Sequence, residues 1–166
     1  MEELSQSAPA GKVVAIYIAP AQGEPTVYIE QAHLVPRMGI EGDRYYYLAQ
    51  KSGKDSKSGH ALTLVEMEAI EAICQQDGIP LTPDQTRRNI VTRGISLNDL
   101  VGRVFTIGAI QVRGVKLCEP CSYLAGRTDP RILSSMVNRG GLRAEIISEG
   151  IINLNDIITV PSKEKV

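Results

Sequence analysis

The chain contains no tryptophan, one phenylalanine and six tyrosines. Its core must therefore rest on Ile, Leu and Val, as expected of a domain built mainly from aliphatic strands. Excess positive charge is also missing. Eighteen Lys and Arg stand against 19 Asp and Glu, for a formal net charge of −1. A general nucleic-acid binder needs a basic surface to neutralise phosphates, so that class is excluded, while a local basic pocket for one small anion is not. No apolar run approaches the ~20 residues a membrane helix needs, Val13–Ala19 being a typical longest case. The polar start, Met1–Gly11, has neither a basic n-region nor an apolar h-region, so no signal peptide is expected. The resulting expectation is a cytoplasmic protein without a membrane partner. Cysteine is scarce, with Cys74, Cys118 and Cys121. An odd count without a secretory signal does not read as a disulfide scaffold, and reduced thiols, one or two of them reactive, are the better reading.

At 166 residues the chain has the size of one domain and can bury a core without disulfides or a structural metal. Its polar ends suggest a flexible segment over 1–11, a single domain over 12–160 and a flexible tail over 161–166. Lys12–Ala19 and Thr26–Glu30 read as strands. Met38–Arg44 reads as a turn, and Gln50–Gly59, the most polar stretch of the body, as a mobile loop. Ala61–Val65 ends a strand. A helix follows over Glu66–Asp77 with Gly78 placed to stop it, unless Thr63 and Glu66 form a capping box and start it earlier. Arg88–Thr92 suggests a strand, Ser96–Leu100 a helical turn, and Arg103–Ile107 with Ile110–Lys116 a hairpin around Gly108. Asp129-Pro130 starts a second helix running to about Asn138. Leu142–Ser148, Ile151–Asn153 and Ile157–Val160 finish as strands. With no regular βαβ alternation, a doubly wound parallel sheet is excluded. The fold class expected is α+β and mainly β: a mostly antiparallel, barrel-like sheet with two or three peripheral helices.

Four segments carry candidate chemistry. Cys118-Glu119-Pro120-Cys121 follows a strand end, where a reactive group is held by the sheet yet stays accessible. A thiolate is a nucleophile and a ligand for soft metals; Arg113, Lys116 and Arg127 favour it and Glu119 opposes it. On the motif alone three readings stay open: two semi-buried structural thiols, a dithiol redox pair, and a zinc site. The redox pair lacks its usual βαβ setting, and the zinc site lacks a second Cys pair, with His33 and His60 at no ligand spacing. In Thr86-Arg87-Arg88-Asn89 the arginines offer planar forks suited to phosphate and the amide suits a heterocycle edge. Adjacent residues on a strand face opposite ways, so at most one arginine should share a pocket with the neighbours of Asn89 without a local twist. Asn138-Arg139-Gly140-Gly141-Leu142-Arg143 has glycines explained by a helix stop and two arginines that suit an anion. Gly42-Asp43-Arg44 reads as a plain turn. Each segment alone is also what an ordinary solvated surface would show.

Their order is more specific. Gly39-Ile-Glu-Gly-Asp-Arg44, Leu62-Thr-Leu-Val-Glu66, Arg87-Arg-Asn-Ile-Val91, Cys118-Glu-Pro-Cys121, Arg139-Gly-Gly-Leu-Arg143 and a closing turn around Asn155-Asp156 together resemble the molybdenum cofactor sulfurase C-terminal (MOSC) domain family over about Gly39–Val160. The resemblance implies a barrel-like fold of the pyruvate-kinase β-barrel kind. It places the family's hallmark cysteine, the metal ligand where molybdenum cofactor (molybdopterin) is bound, on Cys121, with Cys118 as an accessory thiol. It implies that Arg87 and Asn89, with Arg88, Arg139 and Arg143, hold the pterin or phosphate part. Tyr45-Tyr46 stands where many bacterial members have His-Ala-Gly after Gly-Asp-Arg, so any role of that histidine is absent. The sequence shows no additional N-terminal domain of the mitochondrial reductases and no pyridoxal-phosphate sulfurase module, so no PLP is expected here.

Three functions follow from the resemblance and the residues. The first is a molybdenum-cofactor-dependent oxidoreductase that reduces N-hydroxylated compounds, with electrons from a separate electron-transfer protein. The second is a sulfur carrier holding a persulfide on Cys121, charged by a cysteine desulfurase, with Cys118 as resolving thiol. The third is a non-catalytic module binding a small anion.

Overall fold

A computed structural model describes residues 7–56, 59–120 and 122–161. Eleven strands and four α-helices are assigned among them: β1 (Ser7–Ile18), β2 (Val27–Ile29), β3 (Gln31–Val35), β4 (Gly39–Ile40), α1 (Arg44–Ser52), β5 (Leu62–Glu66), α2 (Met67–Asp77), β6 (Ile90–Arg93), β7 (Val104–Ile107), β8 (Ile110–Leu117), α3 (Ser122–Arg127), α4 (Ile132–Ser135), β9 (Leu142–Ile146), β10 (Gly150–Asn153) and β11 (Ile157–Pro161). Seven strands, in the order β11-β7-β8-β9-β5-β6-β1, close into a barrel because β1 pairs with both β6 and β11; β2 adds to β1 outside the ring. Every pairing is antiparallel except β5–β6, which α2 connects. A small sheet, β10-β3-β4, lies against the barrel and contributes Ala32, Leu34, Ile40 and Ile152 to its interior.

Alternation along the strands separates two cores. Leu62, Leu64, Ile90, Phe105, Ile107, Val112, Leu142 and Ala144 point inward and are buried. Val65 and Val91 point outward, where Ile70 and Ile73 of α2, Leu124 of α3, and Ile132 and Met136 cover them. A register shift in β1 between Val13 and Ala15 puts Val13 and Ile16 inside and Ala15 outside. A bulge of this kind adds one residue to a strand and turns the side chains beyond it to the other face.

The expected architecture and most element positions agree with this structure. The differences are local. β1 begins at Ser7, not Lys12, because Ser7–Lys12 pairs with Ile157–Pro161 of β11. The polar stretch from Gln50 opens inside a helix: α1 starts behind Asp43, whose carboxylate accepts from Tyr45 N–H, and ends at left-handed Gly53. Thr63 lies within β5 and forms no capping box; Glu66 precedes α2 without a side-chain cap, and Gly78 ends it in the left-handed region as expected. Asp129 caps the turn before α4 by accepting from Arg131 N–H, but regular helix there spans only Ile132–Ser135. α3 directly after the Cys118 segment was not anticipated. No helix among the described residues is long and apolar enough to cross a membrane.

Candidate functional site

Arg87 has φ 62°, a left-handed backbone that branchless glycine adopts more readily than arginine. It ends a short 3-10 turn, Pro83–Thr86, and β6 begins only at Ile90. Arg87 and Arg88 are therefore not strand neighbours on opposite faces. The left-handed residue supplies the twist that lets both, with Asn89, border one hollow. The hollow has a volume of about 180 Å³, and its wall includes Asp43, Tyr45, Thr63, Cys118 and Arg143.

Backbone crossings of unusual closeness hold this wall. A Cβ on Gly140 would lie 2.0 Å from the Cys118 carbonyl oxygen, and one on Gly141 would lie 1.9 Å from that of Leu64. Both glycines thus serve close approach rather than only a helix stop. Cys118 N–H donates to Gly141 O at 2.8 Å, and Arg88 Nε donates to Gly140 O at 2.8 Å. Arg88 also donates through Nη1 to Thr86 O at 3.1 Å and reaches Cys118 O at 3.4 Å. A guanidinium buried to this degree needs such acceptors; here they make Arg88 a brace for the segment that begins at Cys118. Asn89 is equally committed. Its carboxamide oxygen accepts from Thr63 N–H and Thr63 Oγ1, both at 3.1 Å, and its Nδ2 donates to Tyr17 O at 3.0 Å. It stitches β1 to β5 at the rim, leaving one amide hydrogen for anything else.

Arg143 differs. It stands on β9, half-buried at the hollow, with its stem close to Gly59, and its side chain makes no hydrogen bond or ion pair to another described residue. Asp43 is the one carboxylate of the wall among the described residues. Its oxygens accept from Ala19 N–H at 2.9 Å and Tyr45 N–H at 3.3 Å, while burial pushes its carboxyl up from the usual range. Arg44 stacks on the Tyr45 ring at 4.5 Å and donates to its hydroxyl, and His60 meets the same ring edge-on at 5.3 Å.

The sequence-derived candidates thus divide. Arg87, Arg88, Asn89, Arg143 and Cys118 come together. Arg139 does not: its Nε donates to Ser135 O and its Nη2 pairs with Asp77 at 2.8 Å, which ties α4 to the end of α2. Arg113, counted as a cation near the thiols, pairs with Glu145 across β8–β9. Cys121 lies outside the described residues. Asp43 and Arg44, which read in the sequence as a plain turn, and Tyr45 and Thr63, which carry no site signal there, join the wall; the cue is Asp43 as a helix cap, which the polar, aromatic sequence behind it hides. Among the described residues, no group of three or more His, Cys, Asp or Glu is placed to hold a metal ion.

Comparison with known proteins agrees with this fold. The family model described as the MOSC domain matches residues 49–159. Among solved structures, the YuaD protein from Bacillus subtilis superposes with a TM-score of 0.76 at 18% identity, covering 97% of this chain and 100% of that one. YiiM from Geobacillus stearothermophilus gives 0.69 at 16% identity, covering 90% and 74%, and YiiM from Escherichia coli gives 0.66 at 19%, covering 95% and 73%. At such identities the likeness is one of fold. No curated protein matches the sequence.

Proposed function

Because this chain belongs to the MOSC domain family, we propose that it is a molybdenum-cofactor-dependent reductase of N-hydroxylated compounds, its hollow holding the anionic part of the cofactor and Cys121 ligating the metal. The observation that carries the reading is Arg143: a half-buried guanidinium without a partner among the described residues, facing a cavity that Arg87 and Arg88 also border. An unneutralised cation in a partly dry wall is costly unless an anion visits it. This donor set fits the phosphate end of molybdopterin. Arg143 would bind that phosphate, Arg87 would add to the local field, and Arg88 would fix the loop leading to Cys121 rather than touch the ligand.

The cofactor, when bound, supplies a metal that changes by two electrons and can accept one oxygen atom. The net reaction breaks the N–O bond of an N-hydroxyl group, consumes two electrons from a separate electron-transfer protein and two protons, and releases amine and water.

Elemental analysis and intact mass of protein made in a cofactor-producing host test the reading. We expect molybdenum in the wild-type protein and its loss in Cys121→Ser. Molybdenum-free wild-type protein carrying an added sulfur mass on Cys121 would replace this function with sulfur transfer.

A further inference from the structure

A second hollow, of about 340 Å³, adjoins the first along α1 and shares Arg44 and Tyr45 with it; Tyr47, Leu48, Lys51 and Gln22 complete its wall. α1 is an odd helix for a fold so aliphatic. Of its nine residues only Ala49 is buried, whereas Tyr47 and Leu48 are 48% and 62% exposed. Arg44, Tyr45, Leu48 and Lys51 follow helical spacing and form one continuous face. The rings on it are held in place: Tyr45 lies between Arg44 and His60, and Tyr46 meets Tyr47 edge-on at 5.7 Å. Ordered aromatic surface beside a polar cavity is a pre-formed platform for a flat apolar group, since little side-chain freedom remains to be lost on binding. The ionised residues of this wall are Arg44 and Lys51, both cationic.

We propose that the α1 hollow is a substrate subsite that takes an aryl group bearing an anionic substituent, with the N-hydroxyl end of the same molecule directed past the Arg44–Tyr45 partition into the first hollow. The inference rests on the reductase reading for the identity of that polar end. The aryl face lies on Tyr45, Tyr47 and Leu48, and the anion meets Arg44 and Lys51.

The test is calorimetric titration of the full-length protein, without cofactor, with 4-carboxybenzohydroxamate, benzohydroxamate and inorganic phosphate. The carboxylated compound should bind about tenfold more tightly than its parent, and Leu48→Glu and Lys51→Glu should each weaken it about fivefold or more. Both substitutions lie on exposed residues and should leave phosphate binding at Arg143 unchanged, which reports an intact fold and first hollow. Equal affinity for the two hydroxamates, or variants that bind the carboxylated one as wild type does, overturns the subsite. So does a Leu48→Glu variant that changes only sedimentation, which would assign this face to a second copy of the chain. Wild-type protein that takes up no molybdenum in a cofactor-producing host, yet shows the Lys51-dependent preference, would remove the reductase reading and leave the subsite standing.

Discussion

The two walls of the first hollow are held in opposite ways. On the side of β5 and β6, Asn89 and Arg88 are spent mainly on backbone: Asn89 on Thr63 and Tyr17, Arg88 on Gly140 and Thr86. On the other side, Arg143 and the α1 face make few bonds of their own. The first wall fixes the position of a reactive loop, and its residues act on ligands only through that loop. The second wall keeps its charges and rings available, as ligand contact requires. Residues that looked alike in sequence, such as Arg88 and Arg143, therefore have different tasks, and substitutions should separate them.

The largest effect should come from Gly141→Ala. Its Cβ would collide with the Leu64 carbonyl, at a φ of 105° that alanine resists, so urea denaturation should show a loss of about 3 kcal/mol or more. Gly126→Ala, in α3 with open space around it, should leave stability unchanged or raise it by about 0.5 kcal/mol. Equal midpoints for the two variants would show that the close crossing is not rigid. Asn89→Ala should follow, costing about 2 kcal/mol because Thr63 and Tyr17 lose buried partners. Arg143→Ala should shift stability by no more than about 0.5 kcal/mol. It should nonetheless weaken phosphate binding about tenfold by titration, since a charge-assisted contact is lost. The reverse pattern would move Arg143 to the anchored wall.

The smallest effect concerns pH. His33 is held between Glu41 at 3.0 Å and Glu149 at 2.8 Å, which raises its pKa above the ordinary 6.5. Its stabilising contribution is fully present below that unfolded value and is lost as pH rises through the higher folded one. Thermal midpoints of wild type and His33→Gln should therefore differ most in mildly acidic solution and converge toward pH about 8. A difference that grows with pH would contradict the clamp.

Much of the barrel was legible in the sequence because its strands are short, β-branched and bounded by turns; β7–β8 around Gly108 is an example. α1 was not, since three tyrosines in a row and a polar end carry no periodic apolar stripe: the helix buries one residue, and its tertiary place comes from the Asp43 cap. The gathering of Arg87, Arg88, Asn89 and Arg143 followed from motif order. That Asn89 and Arg88 would be consumed by backbone, and that Arg139 would turn away to Asp77, depends on long-range approach of carbonyls that local sequence does not encode. The glycines at 140 and 141 were visible; their partners, Cys118 and Leu64, were not.

β1 divides its length among three neighbours, and one of them, β11, is the last strand of the ring. During synthesis the barrel therefore cannot close until the residues through Pro161 have left the ribosome, because the seam joins the earliest strand to the latest. Until then β1 carries an open edge along Ser7–Lys12, and folding must wait on one of the most distant pairings the chain contains. A circular permutant that joined these neighbouring strands by a short linker and opened the chain elsewhere should close its seam early and fold faster at similar stability.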